Sequence, residues 1–277
     1  MNELHDKTIF ITGATRGIGR AIALRCARGG ARVVITGKTA LAHAKLPGTI
    51  HSVAAEVEQA GGQALAIQLD VRDEQALQAA VGQAALHFGG VDVLVNNASA
   101  ISLTGTVDTP AKRLDLMWDV NMRATFLASQ ACIPYLKKSA NPHILTLSPP
   151  LSHDAKWFAP HVAYSISKFG MSLCALGMAR EFAADGIAVN CLWPRTTIAT
   201  AAIEFNFPEN ILRASRKPEI VADAAYQILR RNSRECSGNF FVDEEVLRSA
   251  GVTDFEQYAV TPGTPLHGDL FLDQGSM

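Results

Sequence analysis

Tyr164 and Lys168 stand four residues apart in Ala163-Tyr164-Ser165-Ile166-Ser167-Lys168, a run whose composition suits a helix. That spacing places both side chains on one helical face, one turn apart. An ammonium beside a phenol favours the phenolate, so the pair reads as an acid–base device that exchanges a proton with an alcohol or a carbonyl oxygen. Ser148 lies just upstream. The plain alternative is that Tyr164 merely packs on the stem of Lys168. The pair gains force only if the rest of the chain delivers a hydride donor to the same place.

The elements that would position such a donor begin at the N-terminus. Thr8-Ile9-Phe10-Ile11-Thr12 is an apolar run that suits a buried parallel strand. Gly13-Ala14-Thr15-Arg16-Gly17-Ile18-Gly19 follows at once, and residues 21–28 read as a helix. Glycines let a strand-to-helix turn approach a pyrophosphate, which then sits on the helix N-terminus. A second strand, 32–36, ends at Gly37-Lys38, a glycine and a base where an NAD-binding fold usually carries an acid for the ribose 2′-hydroxyl. Lys38 and Arg16 are therefore candidates to hold a 2′-phosphate, with solvated surface charges as the bland alternative. Residues 41–50 read as a loop insertion.

Further along, a third strand, 64–69, runs into Asp70-Val71, where Asp70 would either accept a bond from an adenine amino group or cap the next helix, 74–88. A fourth strand, 91–95, ends in Asn96-Asn97-Ala98-Ser99. A long helical stretch, 110–138, has Asn121 in its middle, which suggests a kink, a bound water or an exposed position. A fifth strand, 143–147, is stopped by Pro149-Pro150 and leaves Ser148 at the carboxyl edge, where ligands bind in such sheets. The Tyr164 helix runs on to about residue 185, a sixth strand covers 186–192, and residues 196–217 read as a mobile flap or broken helix. A helix over 218–230 and a strand over 239–242 complete an α/β, doubly wound, Rossmann-type parallel sheet of about seven strands with helices on both faces. No repeat or linker divides residues 1–277, which read as a single domain.

Composition narrows the classes. The 277 residues are 48% hydrophobic and 18% charged, enough for a large core and too apolar for disorder. A net charge of −1 offers no basic face to nucleic acid or anionic lipid. No secretory signal and no uncharged run of membrane-spanning length stand out. Five scattered cysteines, with no C-x-x-C, read as reduced thiols of a cytoplasmic protein, and no metal-ligating pattern is evident.

In their order and separation, Thr12-Gly13-x-x-x-Gly17-Ile18-Gly19, Asp70-Val71, Asn96-Asn97-Ala98, Asn121, Ser148 and Tyr164-x-x-x-Lys168 resemble the short-chain dehydrogenase/reductase family over essentially the whole chain. The resemblance implies a tetrad: Tyr164 as acid/base, Lys168 tuning it and holding the nicotinamide ribose, Ser148 orienting the substrate oxygen, and Asn121 holding a proton-relaying water. It implies a cofactor bed of Gly13, Thr15, Arg16, Gly17, Ile18, Gly19, Lys38, Asp70, Val71, Asn97, Ala98, Pro194, Thr196 and Thr197. Three departures stand out. Arg195 replaces the glycine usual after Pro194, Ser148 and Tyr164 are sixteen positions apart, and Val242-Asp243-Glu244-Glu245 stands where many members have paired glycines.

The expected activity is NADP(H)-dependent interconversion of an apolar alcohol and its ketone or aldehyde, with NADP(H) preferred over NAD(H). Trp157, Phe158, Trp193, Phe205 and Phe207 are the expected substrate lining. The rivals are a catalytically weak NADP(H)-binding regulator or scaffold of the same fold, and an isomerase that uses the cofactor transiently. Apolar residues on the helices over 110–138 and 164–184, among them Met171, Leu173, Leu176 and Met178, predict a homodimer or homotetramer.

Overall fold

The computed structural model describes residues 4–42 and 47–273, so the middle of the expected insertion at 41–50 lies outside the described residues. Seven parallel strands form one sheet in the order β3-β2-β1-β4-β5-β6-β7. They are β1 (Thr8–Ile11), β2 (Arg32–Gly37), β3 (Gln63–Gln68), β4 (Val93–Asn96), β5 (His143–Thr146), β6 (Ala188–Trp193) and β7 (Phe240–Val242). The strand order reverses between β1 and β4, and the crevice at their carboxyl ends is where such sheets take ligands.

Each central strand is buried on both faces, so its side chains feed two cores alternately. Ile9, Ile11, Val33, Ile35, Val93 and Val95 join one core, which α1 (Gly17–Ala27), α2 (Ile50–Gln59), α9 (Glu219–Leu229) and α10 (Asp243–Ser249) cover. Phe10, Val34, Leu94 and Ile144 join the other, beneath α3 (Glu74–Phe88), α5 (Ala124–Leu136) and α6 (Val162–Glu181). Met171 and Met178 belong to the chain's own interior, whereas Leu173 and Leu176 on the same helix are exposed. By length and composition α6 alone among the described helices is apolar enough to cross a membrane, yet most of it is buried inside the fold. Asp73 caps α3 by accepting from Ala76 N at 3.0 Å, so Asp70 is free of the capping role.

Two regions differ from the sequence reading. The stretch over 110–138 is not one helix. α4 (Ala111–Met117) gives way to a π-helical turn, Trp118–Arg123, before α5. Asn121 sits in that turn and is fully buried, which removes the exposed alternative. The flap contains two short helices, α7 (Ala201–Asn206) and α8 (Glu209–Arg213). Beyond α10 a C-terminal strap returns across the sheet edge. Thr197 N donates to His267 O at 3.0 Å, Asp269 N to Arg195 O at 3.1 Å, and Trp193 Nε1 to Leu270 O at 2.8 Å.

Candidate active site

The glycine turn and the end of β4 are latched together. Asn97 Nδ2 donates to Thr12 O and Gly13 O, both at 2.9 Å, while Thr12 Oγ1 accepts from the backbone of Asn97 at 3.0 Å and Ala98 at 3.1 Å. Gly13 and Gly17 hold φ of 66° and 56°, a left-handed conformation that favours glycine. A Cβ on Gly19 would stand 2.4 Å from Asn97 Nδ2, so only glycine permits this closeness. Above the turn runs a cleft of about 360 Å³. Gly13, Thr15, Arg16, Gly17, Ile18, Lys38, Asp70, Val71, Asn97 and Ala98 all line it. Gly19 serves the packing beneath.

Both proposed phosphate ligands sit at the cleft's lip. Arg16 is held in place, donating from Nη2 to Thr39 Oγ1 at 3.0 Å and from Nε to Pro47 O at 3.1 Å. Lys38 is 65% exposed, with Nζ 3.9 Å from Asp70 Oδ2. Asp70 itself is bonded by Arg72 at 2.6 Å, and that bond holds its carboxyl below the usual range.

An inner chamber of about 150 Å³ adjoins the cleft and shares Ile18, Asn97, Ser99, Thr200 and Ala202 with it. Tyr164, Lys168, Trp193, Pro194 and Phe207 line this chamber, together with Leu147, Asp269 and Leu270. Lys168 Nζ donates to Leu147 O at 2.6 Å and lies 5.0 Å over the Trp193 ring. The expected drift of Tyr164 toward phenolate is opposed by its burial. Burial, aided by the charge of Asp269, pushes the phenol well above its ordinary range, and burial draws Lys168 down to about 7. Desolvation outweighs the neighbour's charge here.

Other expected residues stand elsewhere. Ser148 is fully buried, donates to Cys191 Sγ at 3.2 Å and is not among the residues that line the chamber, although its neighbour Leu147 is. The strand before it ends one residue earlier than expected, at Thr146. Asn121 has both side-chain atoms committed: Oδ1 accepts from Ala100 N at 2.7 Å, and Nδ2 donates to Ala100 O at 3.0 Å and Ser167 Oγ at 2.9 Å. Thr196 and Thr197 are buried and line neither cavity; Thr197 Oγ1 pairs with Ser215 Oγ at 2.7 Å. Phe205 is 58% exposed and also outside the lining, because its short helix turns it to solvent. Trp157 and Phe158 sit behind the chamber in an aromatic cluster, with Phe158 stacked on Phe169 at 5.0 Å.

Two of the sequence departures prove to be one feature. Arg195 N donates to Asp243 Oδ1 at 2.9 Å, and the Arg195 guanidinium pairs with Glu245, so the side chain faces α10 and leaves the cleft free. The acids after β7 are what make an arginine tolerable beside Pro194. Sequence reading missed Thr200, Asp269, Leu270 and Phe271. Thr200 stands in a segment already suspected as a flap. The other three lie seventy or more residues beyond β6, and no local pattern connects them to it.

The glycine turn, the reversed strand order and the Tyr164–Lys168 pair facing one chamber define a dinucleotide-dependent dehydrogenase architecture. The short chain dehydrogenase model matches residues 7–209, and the chain belongs to that family. It is 55% identical over 267 residues to hydroxysteroid dehydrogenase-like protein 2 of Bos taurus and 56% identical to the Homo sapiens protein of that name. In both cases 96% of this chain is matched against 63% of the relative, so the chain spans less than two thirds of their length. A crystal structure from Xanthomonas campestris, described as a dehydrogenase, superposes with a TM-score of 0.95 at 54% identity, covering 98% of this chain and 99% of that one. A short chain dehydrogenase from Mycobacterium thermoresistibile gives a TM-score of 0.92 at 50% identity, covering 98% and 96%.

Proposed function

We propose that the protein is an NADP(H)-dependent oxidoreductase that interconverts a small apolar alcohol and its ketone or aldehyde. The observation that carries this reading is the continuity of the two cavities: Ile18 and Asn97 border both the cleft over the glycine turn and the chamber that holds Tyr164. Gly13, Gly17 and Ile18 would receive the pyrophosphate, Asp70 and Val71 the adenine, Arg16 and Lys38 the 2′-phosphate, and Lys168 the nicotinamide ribose. When bound, the nicotinamide supplies or takes the hydride.

The chain's own part is proton handling and exclusion of water. Burial keeps the Tyr164 phenol protonated, which suits it to give a proton to a carbonyl oxygen. Ile101, Leu147, Trp193, Ile203 and Phe207 give the chamber an apolar wall, which rewards buried carbon at ~25 cal/mol per Å² and offers little to a polyol. Ligand sites usually need roughly 300 Å³ or more, so α7 and α8 would shift outward to admit a substrate. The free thiols support a reducing, cytoplasmic setting.

The test is NADPH absorbance over a panel of medium-chain aldehydes, cyclic ketones and sugars. The expected result is stoichiometric NADPH consumption with the apolar carbonyls. Tyr164→Phe should keep NADPH binding and lose turnover by ~10²–10⁴-fold. Retention of more than half the activity in that variant, or better turnover of sugars than of ketones, overturns the reading.

A further inference from the structure

Lys168 is only 2% exposed, and burial disfavours its ammonium. A charge taken out of water needs compensation from the groups packed around it. Among the described residues the ammonium donates one hydrogen bond, to Leu147 O at 2.6 Å, and no carboxylate lies within ion-pair distance of it. What does meet it is an aromatic face: Nζ lies over the Trp193 ring, 5.0 Å from its centroid. Indole attracts a cation more strongly than the other aromatic side chains, and the attraction grows where water is excluded.

Other parts of the fold hold the indole there. Trp193 closes β6, is buried and stands in register with Val242 of β7. Its Nε1 donates to Leu270 O at 2.8 Å, and its ring meets that of Phe271 at 5.8 Å. Phe271 also stacks on Tyr164 at 6.0 Å and meets Phe169, the residue after Lys168 on α6, at 5.1 Å. The strap and β7 thus fix the ring independently of Lys168, so no reorganisation is needed for it to face the charge.

We propose that Trp193 is a positioning residue: its indole face holds the Lys168 ammonium charged and in place to receive the nicotinamide ribose and to act on Tyr164. The proposal rests on the oxidoreductase reading above, and it gives Trp193 a task beyond that of an apolar wall. The other titratable groups around Lys168 are Tyr164 one turn earlier on α6, Cys191 on β6 and Asp269 on the strap, which is itself influenced by Asp243 at the start of α10. Burial keeps the Tyr164 phenol and the Cys191 thiol protonated, so neither draws the ammonium by charge. None of these groups depends on the electron density of the indole ring, which is the property that attracts the cation.

The experiment changes that property alone. Tryptophan analogues with one, two, three and four ring fluorines are placed at position 193 of the whole chain, and thermal melts confirm folding. Fluorine drains the ring face stepwise while the indole nearly keeps its outline. It also makes the Nε1–H a better donor, so the bond to Leu270 O is not weakened. Heteronuclear NMR of isotope-labelled lysine follows the Lys168 ammonium, whose signal is identified by its loss in Lys168→Arg. Its titration midpoint is expected to fall stepwise, by about 1 in pH with four fluorines, equivalent to a tenfold weaker hold on the charge. The alkaline limb of kcat/KM for NADPH, measured with decanal, should move down with it, while KM for decanal stays within about twofold. Trp193→Leu, which has no ring face, should lower the midpoint at least as far, and Trp193→Phe should fall between.

A Lys168 midpoint that four fluorines leave in place overturns the proposal whatever the activity, and reduces Trp193 to an apolar wall. An alkaline limb that stays put while the midpoint falls overturns it as well, because the ring would then hold the charge to no catalytic end. Either result beside an inactive Tyr164→Phe leaves the oxidoreductase reading standing. No NADPH consumption by the unmodified protein on any carbonyl of the panel refutes that reading instead; the midpoint is read without turnover and decides the ring's hold on the ammonium separately.

Discussion

The proposed preference for NADP(H) rests on two cations whose settings differ enough to be told apart. Arg16 is pre-placed by its bonds to Thr39 Oγ1 and Pro47 O, so little side-chain entropy remains to be lost when it meets a 2′-phosphate. A hydrogen bond to a charged group contributes ~1.5–3 kcal/mol, a factor of roughly 10 to 150. Lys38 is 65% exposed and already lies 3.9 Å from Asp70. An exposed pair contributes ~0.2–1 kcal/mol, a factor of roughly 1.5 to 5. Arg16→Ala should therefore cut the NADPH-over-NADH ratio of kcat/KM by more than tenfold, and Lys38→Ala by less than about fivefold. Gly37→Asp is a poor probe of the same idea, since a Cβ there meets Thr15 Cγ2 at 2.8 Å and disturbs the turn. Lys38→Asp introduces the carboxylate without that clash and should erode or reverse the preference. The assay is steady-state kinetics with both cofactors near physiological ionic strength, paired with binding titrations. Equal efficiency with NADPH and NADH in the unmodified protein, or a larger effect from Lys38→Ala than from Arg16→Ala, would refute the reasoning.

Stability and assembly give two further expectations. The Asp269 carboxyl titrates near 7 in the fold against ~3.9 in an unfolded chain, so its stabilising contribution is complete below the lower value and is lost as pH rises toward 7. The melting temperature of Asp269→Asn relative to the unmodified protein should accordingly rise from pH 4 to pH 8; a constant difference contradicts this. Trp118, Phe126, Leu173 and Leu176 expose large apolar surfaces on the π turn, α5 and α6, and we expect these to meet their copies across a two-fold axis. Sedimentation at micromolar concentration should show a dimer or tetramer that Leu173→Glu weakens, whereas a monomer alone would reject it.

The local chain was sufficient for the sheet and for the glycine turn. Continuous apolar runs such as Ile9-Phe10-Ile11 and Val33-Val34-Ile35 specify strands buried on both faces, and the glycines at 13, 17 and 19 specify a turn that only a close ligand or neighbour explains. The helical spacing of Tyr164 and Lys168 likewise needed nothing beyond residues 162–168. Tertiary structure decided what depends on solvent exclusion and on distant segments. Burial reversed the expected proton balance of Tyr164 and Lys168, because the dielectric around a side chain is set by everything packed over it. Ser148 donates to Cys191 on the neighbouring strand β6, a partner that the residue type alone does not encode. Arg195 is intelligible only once α10 brings Glu245 beside it, and Asp269 enters the chamber only because the strap pairs with residues 195–197. Such contacts join residues about fifty to seventy-five positions apart; spacing rules describe one helix turn or one strand, and the chain's return path is settled by packing.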